Sequence, residues 1–231
     1  MRGVPRPTLS ALAVLGSVLL GTVGCFDVHM VGAGTLVIDD FDDGNFQPND
    51  PAFDRWLCFE FNPTRSDGYR CGHDSGDNSS YSLFLDATID DPPDGDQQHG
   101  GAGFVSVGDT PQDLSQFNQL VFDVELESGN PPLPSGAQLQ VQVGCATALA
   151  DDGATHSDLI VVQDAGYTNH WQTDTLSLAN FGPPAWLNYQ VAGGIGPCLQ
   201  RVDSIAFIVD AQVADGQSGS FTLHVDDILF R

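Results

Sequence analysis

A chain of 231 residues with 31 acidic and seven basic residues, and no lysine, carries a formal charge of −24. So acidic a surface argues against nucleic acid and anionic lipid as direct partners, and it favours neutral ligands and divalent cations. Beyond residue 25 no apolar run is long enough for a transmembrane helix, and the remaining length suits one all-β domain.

Residues 1–24 read as an export signal. Arg2 and Arg6 precede the apolar stretch Leu9 to Leu20, which runs into Gly21-Thr-Val-Gly-Cys25. This is a charged start, an apolar run too short for a permanent span, and a small-residue cleavage site. Because the site ends in cysteine it resembles a bacterial lipobox, which implies a lipid on Cys25. The expectation is a membrane-anchored lipoprotein of the cell envelope, at the outer membrane or cell surface rather than the inner membrane. Residues 25–35 then form a tether, and residues 36–231 one domain.

From residue 36 onward, short apolar alternations are separated by Gly, Pro, Asn and Asp clusters. This is the pattern of an antiparallel β-sandwich. The candidate strands, in chain order, are 36–40, 55–61, 80–87, 102–107, 119–126, 137–144, 158–163, 170–176, 202–209 and 220–230. Ten strands in one domain predict an all-β jelly roll. No segment keeps a helical period for three turns. The loops at 88–101, 127–136 and 147–157 are turn-rich insertions, and long loops on a rigid sandwich are where function tends to sit.

Five cysteines are present: Cys25, Cys58, Cys71, Cys145 and Cys198. Lipidation of Cys25 leaves four, which allow three pairings. Cys58–Cys71 with Cys145–Cys198 is favoured, since its first bridge closes a short loop, and export makes disulfides the default over metal ligation.

The two ends of the domain match. Leu36-Val-Ile-Asp-Asp-Phe-Asp-Asp-Gly44 opens it, and Leu223-His-Val-Asp-Asp-Ile-Leu-Phe230 closes it. First and last strands often lie side by side in sandwiches. Two such acidic segments are then expected to share a calcium ion, which takes several oxygen ligands in irregular geometry.

These segments also carry a resemblance. Leu36 to Gly44, Leu114 to Val124, His170 to Phe181, Leu187 to Gln190, Val202 to Val209 and Ser218 to Leu229 resemble, in order, the family-11 carbohydrate-binding modules and their galactose-binding-like jelly-roll relatives. The resemblance implies a structural calcium held by Asp42 and Asp226, with Asp40 helping. It also implies a glycan groove on a sheet face, carrying Asn188 and Tyr189 together with Asp203 and Ser204. On that last strand Ala206 and Val209 stand where the family has a histidine and a stacking tyrosine. Of the tryptophans, Trp186 lies in a loop beside Tyr189 and is the candidate for an exposed stacking platform. Trp56 and Trp171 are expected in packing roles.

Catalysis has little support in the sequence. Glycoside cleavage needs two placed carboxylates, and the only glutamates are Glu60, Glu125 and Glu127. No nucleophile elbow, zinc helix or phosphate loop is present. The expected role is non-catalytic binding of a polysaccharide or cell-envelope glycan. The alternative is an envelope scaffold or adhesion protein that keeps the fold without a sugar site and works through a protein partner.

Overall fold

The computed structural model describes residues 34–61, 70–74, 81–90, 99–145, 159–165, 167–183, 195–212 and 217–231. Eleven strands run in chain order: β1 (Leu36–Asp39), β2 (Leu57–Phe61), β3 (Arg70–Asp74), β4 (Ser82–Asp90), β5 (His99–Gln112), β6 (Gln119–Ser128), β7 (Gln138–Cys145), β8 (Leu159–Ala165), β9 (Gln172–Ser177), β10 (Val202–Gln212) and β11 (Ser218–Phe230). A single helical turn at Leu178–Asn180 and a short helix, α1 (Ile195–Leu199), are the helical elements among the described residues.

The strands form two antiparallel sheets packed as a sandwich. One has the order β3-β4-β11-β6-β9, with β1 added beside β11; the other has the order β2-β5-β10-β7-β8. Alternation decides which side chains meet between them. Phe221, Leu223 and Val225 of β11 face inward opposite Leu126 and Val124 of β6. Ile205, Phe207 and Val209 of β10 face them from the other sheet, fully buried. At the centre the Phe207 ring meets Phe122 edge-on at 4.9 Å and Trp56 at 6.2 Å.

Three sequence expectations change here. The strand β3 was not anticipated; its Cys-Gly-His-Asp stretch has no apolar alternation, and only pairing to β4 reveals it. The strand β5 is far longer than 102–107, because glycines at 100, 101 and 103 look like turn residues yet lie within the ladder. Several other ends shift by one to three residues, as element boundaries do.

The favoured disulfide pairing is present. Cys58 of β2 bridges to Cys71 of β3 with Cα atoms 6.4 Å apart, joining the edge strand of one sheet to the edge strand of the other. Cys145 at the end of β7 bridges to Cys198 in α1, with Cα atoms 5.2 Å apart.

The chain ends also meet as expected. Leu36 pairs with Phe230 and Val37 with Leu229, on the flank of β11 that β4 leaves free. Just before this pairing β11 carries a bulge, with Asp227 at φ 48°. The bulge switches the inward phase, so Val225 is followed inward by Ile228 and Phe230.

Candidate functional site

The paired aspartates of the two ends have different surroundings. Asp39 faces the sandwich interior. Its Oδ2 accepts the Trp56 indole N–H at 2.9 Å, and its Oδ1 accepts the Phe41 backbone N–H at 3.0 Å. Burial pushes its carboxyl up from the ordinary 3.8 to about 8, against the lowering effect of those two hydrogen bonds. Asp226 pairs in register with Asp123 of β6, between the inward residues Phe122 and Val124, so both lie on the side of the six-stranded sheet away from the core, and both are buried there. Asp42 is exposed, and the Asp40 carboxylate accepts the Asn49 amide at 2.7 Å. Among the described residues no three acidic, histidine or cysteine side chains come together to hold a metal. That concerns acidic, histidine and cysteine side chains alone; the calcium expected at Asp40, Asp42 and Asp226 also takes backbone and amide oxygens.

The outer face of the five-stranded sheet has a different character. On the edge strand β2, Leu57, Phe59 and Phe61 alternate outward, while Cys58 pairs with the core residue Phe104. The rings of Phe59 and Phe61 lie stacked at 6.4 Å. Beneath them in register are Gly103 and Gly101 of β5. A side chain at either glycine would overlap the backbone of β10, and at Gly101 it would also strike the Phe61 ring. Glycine here lets the aromatic rings lie against the sheet while Phe61 stays 36% exposed.

On this side of the sheet β10 carries Ser204, Ala206, Ile208 and Asp210, and β7 carries Gln138, Gln140 and Gln142; Ala206, Ile208 and Gln140 are buried, Gln142 is half-buried and Gln138 is exposed. The amides are ordered: Gln142 donates to Gln140 at 3.0 Å, and Gln138 donates to Asp164 of β8 at 3.2 Å. Tyr167, whose hydroxyl donates to the Ala137 carbonyl at 3.0 Å, stands at the end of that row. The face thus carries an aromatic edge on one side, a covered centre, and accessible amide and carboxylate groups at Gln138, Gln142 and Asp164 on the other. That combination suits a ligand offering both C–H faces and hydroxyls.

Of the expected site residues, Asp203 and Ser204 are brought to this face. They lie at the β-bulge that opens β10, where the Ser204 hydroxyl is 3.4 Å from Asp203 Oδ1 and sits above Gly144. Trp186, Asn188, Tyr189 and the lipidation candidate Cys25 lie outside the described residues. Val209 is a core residue, so its apolar identity takes nothing from the outer face; Ala206 is the outward position. Trp56 is fully buried and Trp171 half-buried, the latter 5.7 Å from the His224 ring on the opposite sheet. Glu125 pairs with His224 on that same opposite face, away from the Phe59–Phe61 row.

Phe59, Phe61, Gln140 and Gln142 were not singled out from the sequence. The signal was there: Leu57-x-Phe59-x-Phe61 and Gln138-x-Gln140-x-Gln142 are both strict period-two rows. They read as ordinary strand alternation until the partner strands show which face each row occupies.

No family model and no curated protein matches the chain. Solved structures do. The family 11 carbohydrate-binding module of the cellulosomal cellulase Lic26A-Cel5E of Clostridium thermocellum superposes with a TM-score of 0.55 at 18% identity, covering 86% of this chain and 95% of that one. The Clostridium thermocellum family 11 module in complex with a β-1,3-1,4-mixed-linked tetrasaccharide gives 0.53 at 19% identity, covering 86% and 96%. The solution structure of CtCBM11 gives 0.52 at 17% identity, covering 87% and 96%. The likeness spans most of both chains, and what it establishes is the fold: the chain is a jelly-roll β-sandwich of the family-11 carbohydrate-binding-module type.

Proposed function

We propose that this protein binds a polysaccharide, without cleaving it, across the outer face of its five-stranded sheet. The observation that carries the reading is the stacked, partly exposed Phe59–Phe61 pair, held over a glycine floor and facing the ordered Gln138–Gln140–Gln142 row. The rings offer flat apolar surface to sugar C–H groups. Gln138, Gln142, Ser204 and Asp210 offer donors and acceptors to hydroxyls. Support comes also from the fold, which the chain shares with sugar-binding modules. Anchoring through Cys25 to the cell envelope belongs to the same proposal and rests on the leader sequence alone.

The test is affinity electrophoresis of the purified chain in gels cast with soluble β-glucans, xylans or mannans. Retardation by one polymer, reduced about tenfold in affinity by Phe61→Ala, is the expected result; one lost aromatic stacking surface is worth about 1.4 kcal/mol. Retardation that Phe61→Ala leaves unchanged refutes the sheet-face assignment. A second reading, an envelope scaffold, is favoured by the exposed apolar side chains Leu57 and Val107 on the same face. It predicts no retardation in any gel and an envelope protein partner whose co-purification Leu57→Glu abolishes.

A further inference from the structure

At one end of the aromatic row lies an open hollow of about 460 Å³, lined by Gly44, Asn45, Phe46, Gln47 and Arg55. We propose that this hollow is a further sugar subsite, taking a neutral unit of the same glycan chain that lies along the sheet face. The proposal rests on the glycan reading given above.

Continuity is the first argument. Trp56 points into the core, so its neighbours Arg55 and Leu57 point out. Arg55, Leu57, Phe59 and Phe61 therefore form one outward row. Six residue steps separate its ends, about 20 Å at ~3.3 Å per residue. The segment is pinned to the end of β5: the Asp54 N–H donates to Val107 at 3.0 Å, and the Ser106 hydroxyl donates to the Asp54 carbonyl. A ligand reaching past Leu57 along that row arrives at Arg55.

The chemistry of the hollow is the second argument. The Arg55 guanidinium lies 5.2 Å from the centroid of the Phe46 ring, which holds the charge in place without consuming its N–H donors. Arg55 makes no ion pair or side-chain hydrogen bond among the described residues. The Trp56 N–H donates to the Phe46 carbonyl at 2.7 Å, so the aromatic and the cation are fixed to each other through the backbone. Gln47 uses one side-chain N–H on the Phe53 carbonyl at 3.3 Å. Its oxygen remains turned to no donor among the described residues. Gly44, at φ 66°, lets the Tyr81 ring pack directly behind the hollow; a Cβ there would press on that ring. An aromatic face, a planar five-donor fork and an amide acceptor thus converge on one open volume.

Charge decides the class of ligand. A guanidinium fork suits a carboxylate, and it suits paired hydroxyl oxygens as well. Screening limits an exposed charge to about 8 Å at physiological salt, so the near neighbours matter most. Asp54 adjoins Arg55 in sequence and Asp43 adjoins Gly44 of the lining, both exposed, on a protein of charge −24. An acidic sugar would meet two carboxylates for one guanidinium. A neutral polyhydroxyl unit meets no such opposition.

The experiment is titration calorimetry with a trisaccharide and an octasaccharide of whichever polymer retards the chain. Wild type is expected to bind the octasaccharide about tenfold more tightly. Arg55→Ala, Arg55→Lys and Phe46→Ala should each shrink that gain below threefold and leave trisaccharide binding unchanged. Phe61→Ala, by contrast, should weaken both. An unfolding curve superposable on wild type certifies each variant. A length gain that survives the Arg55 and Phe46 variants overturns the subsite. So does tighter binding of a polyuronate oligosaccharide that Arg55→Ala abolishes, which would make the ligand acidic. If no polymer retards the chain, the sheet-face reading fails first and this inference with it.

Discussion

Replacing Asp39 by asparagine should remove a pH dependence from the stability of the fold. Asp39 is fully buried beside Trp56, and its carboxyl is pushed up from 3.8 to about 8, chiefly by that burial. Below pH ~4 the folded and unfolded chains both carry the proton. Between there and about 8 only the folded chain keeps it, so stability falls as pH rises, by up to ~1.4 kcal/mol per pH unit. Integrated over the interval this is on the order of 5 kcal/mol, a ceiling that solvent penetration and relaxation lower. Asparagine has no such titration. It keeps one acceptor oxygen but turns an NH₂ toward either the Phe41 or the Trp56 N–H, a fixed cost of about 1–3 kcal/mol at every pH. Wild type should therefore be the more stable chain at pH 5, and Asp39→Asn should equal or exceed it by pH 8. The assay is urea unfolding of both chains, disulfides intact, at half-unit steps from pH 4.5 to 8.5. Surface carboxylates titrate alike in the two chains and cancel in the difference. A difference that stays constant across that range would refute the claim that this carboxyl is neutral in the fold.

The remaining expectations concern the frame. Removing the Cys145–Cys198 bridge, with a separation of 53 residues, should cost about 4 kcal/mol in chemical unfolding; removing Cys58–Cys71, with a separation of 13, should cost about 3. The reverse order would show that closing the gap between the two sheet edges matters more than loop length. Gly103→Ala should destabilise by several kcal/mol, since the new methyl overlaps the Phe207 carbonyl and nearby backbone of β10; a melting temperature within ~1 °C of wild type contradicts that geometry. Chelation with EDTA tests the calcium expected at Asp40, Asp42 and Asp226: an unchanged melting temperature removes it from the described residues. A fall of several degrees, restored by calcium, would support it.

The fold was legible because its signals are local. Period-two alternation and turn residues mark strands wherever one face is buried, and the matching Leu36–Gly44 and Leu223–Phe230 segments do pair. What stayed hidden depends on partners distant in the chain. Asp39 and Asp226 look alike in sequence, each the first of an aspartate pair after an apolar run. One turns inward to Trp56 and the other lies buried beside Asp123 on the opposite side of its sheet, because strand phase and a bulge at Asp227 decide the face, and neither is visible locally. Gly101 and Gly103 look like a turn, since only the register with Phe61 and Phe59 shows them to be a floor. Val209 looked like a missing stacking residue until its phase placed it in the core.

The position of β11 has a consequence for how the chain becomes a folded protein. This strand lies between β6 on one side and β4 and β1 on the other, and it is the last of the described strands in chain order. Until its residues are released from synthesis, the six-stranded sheet has no centre, and Leu36 has no partner. A nascent chain of this design cannot close its sandwich early, because the decisive pairings span almost its whole length. The polypeptide of this domain therefore stays open and extended until β11 arrives.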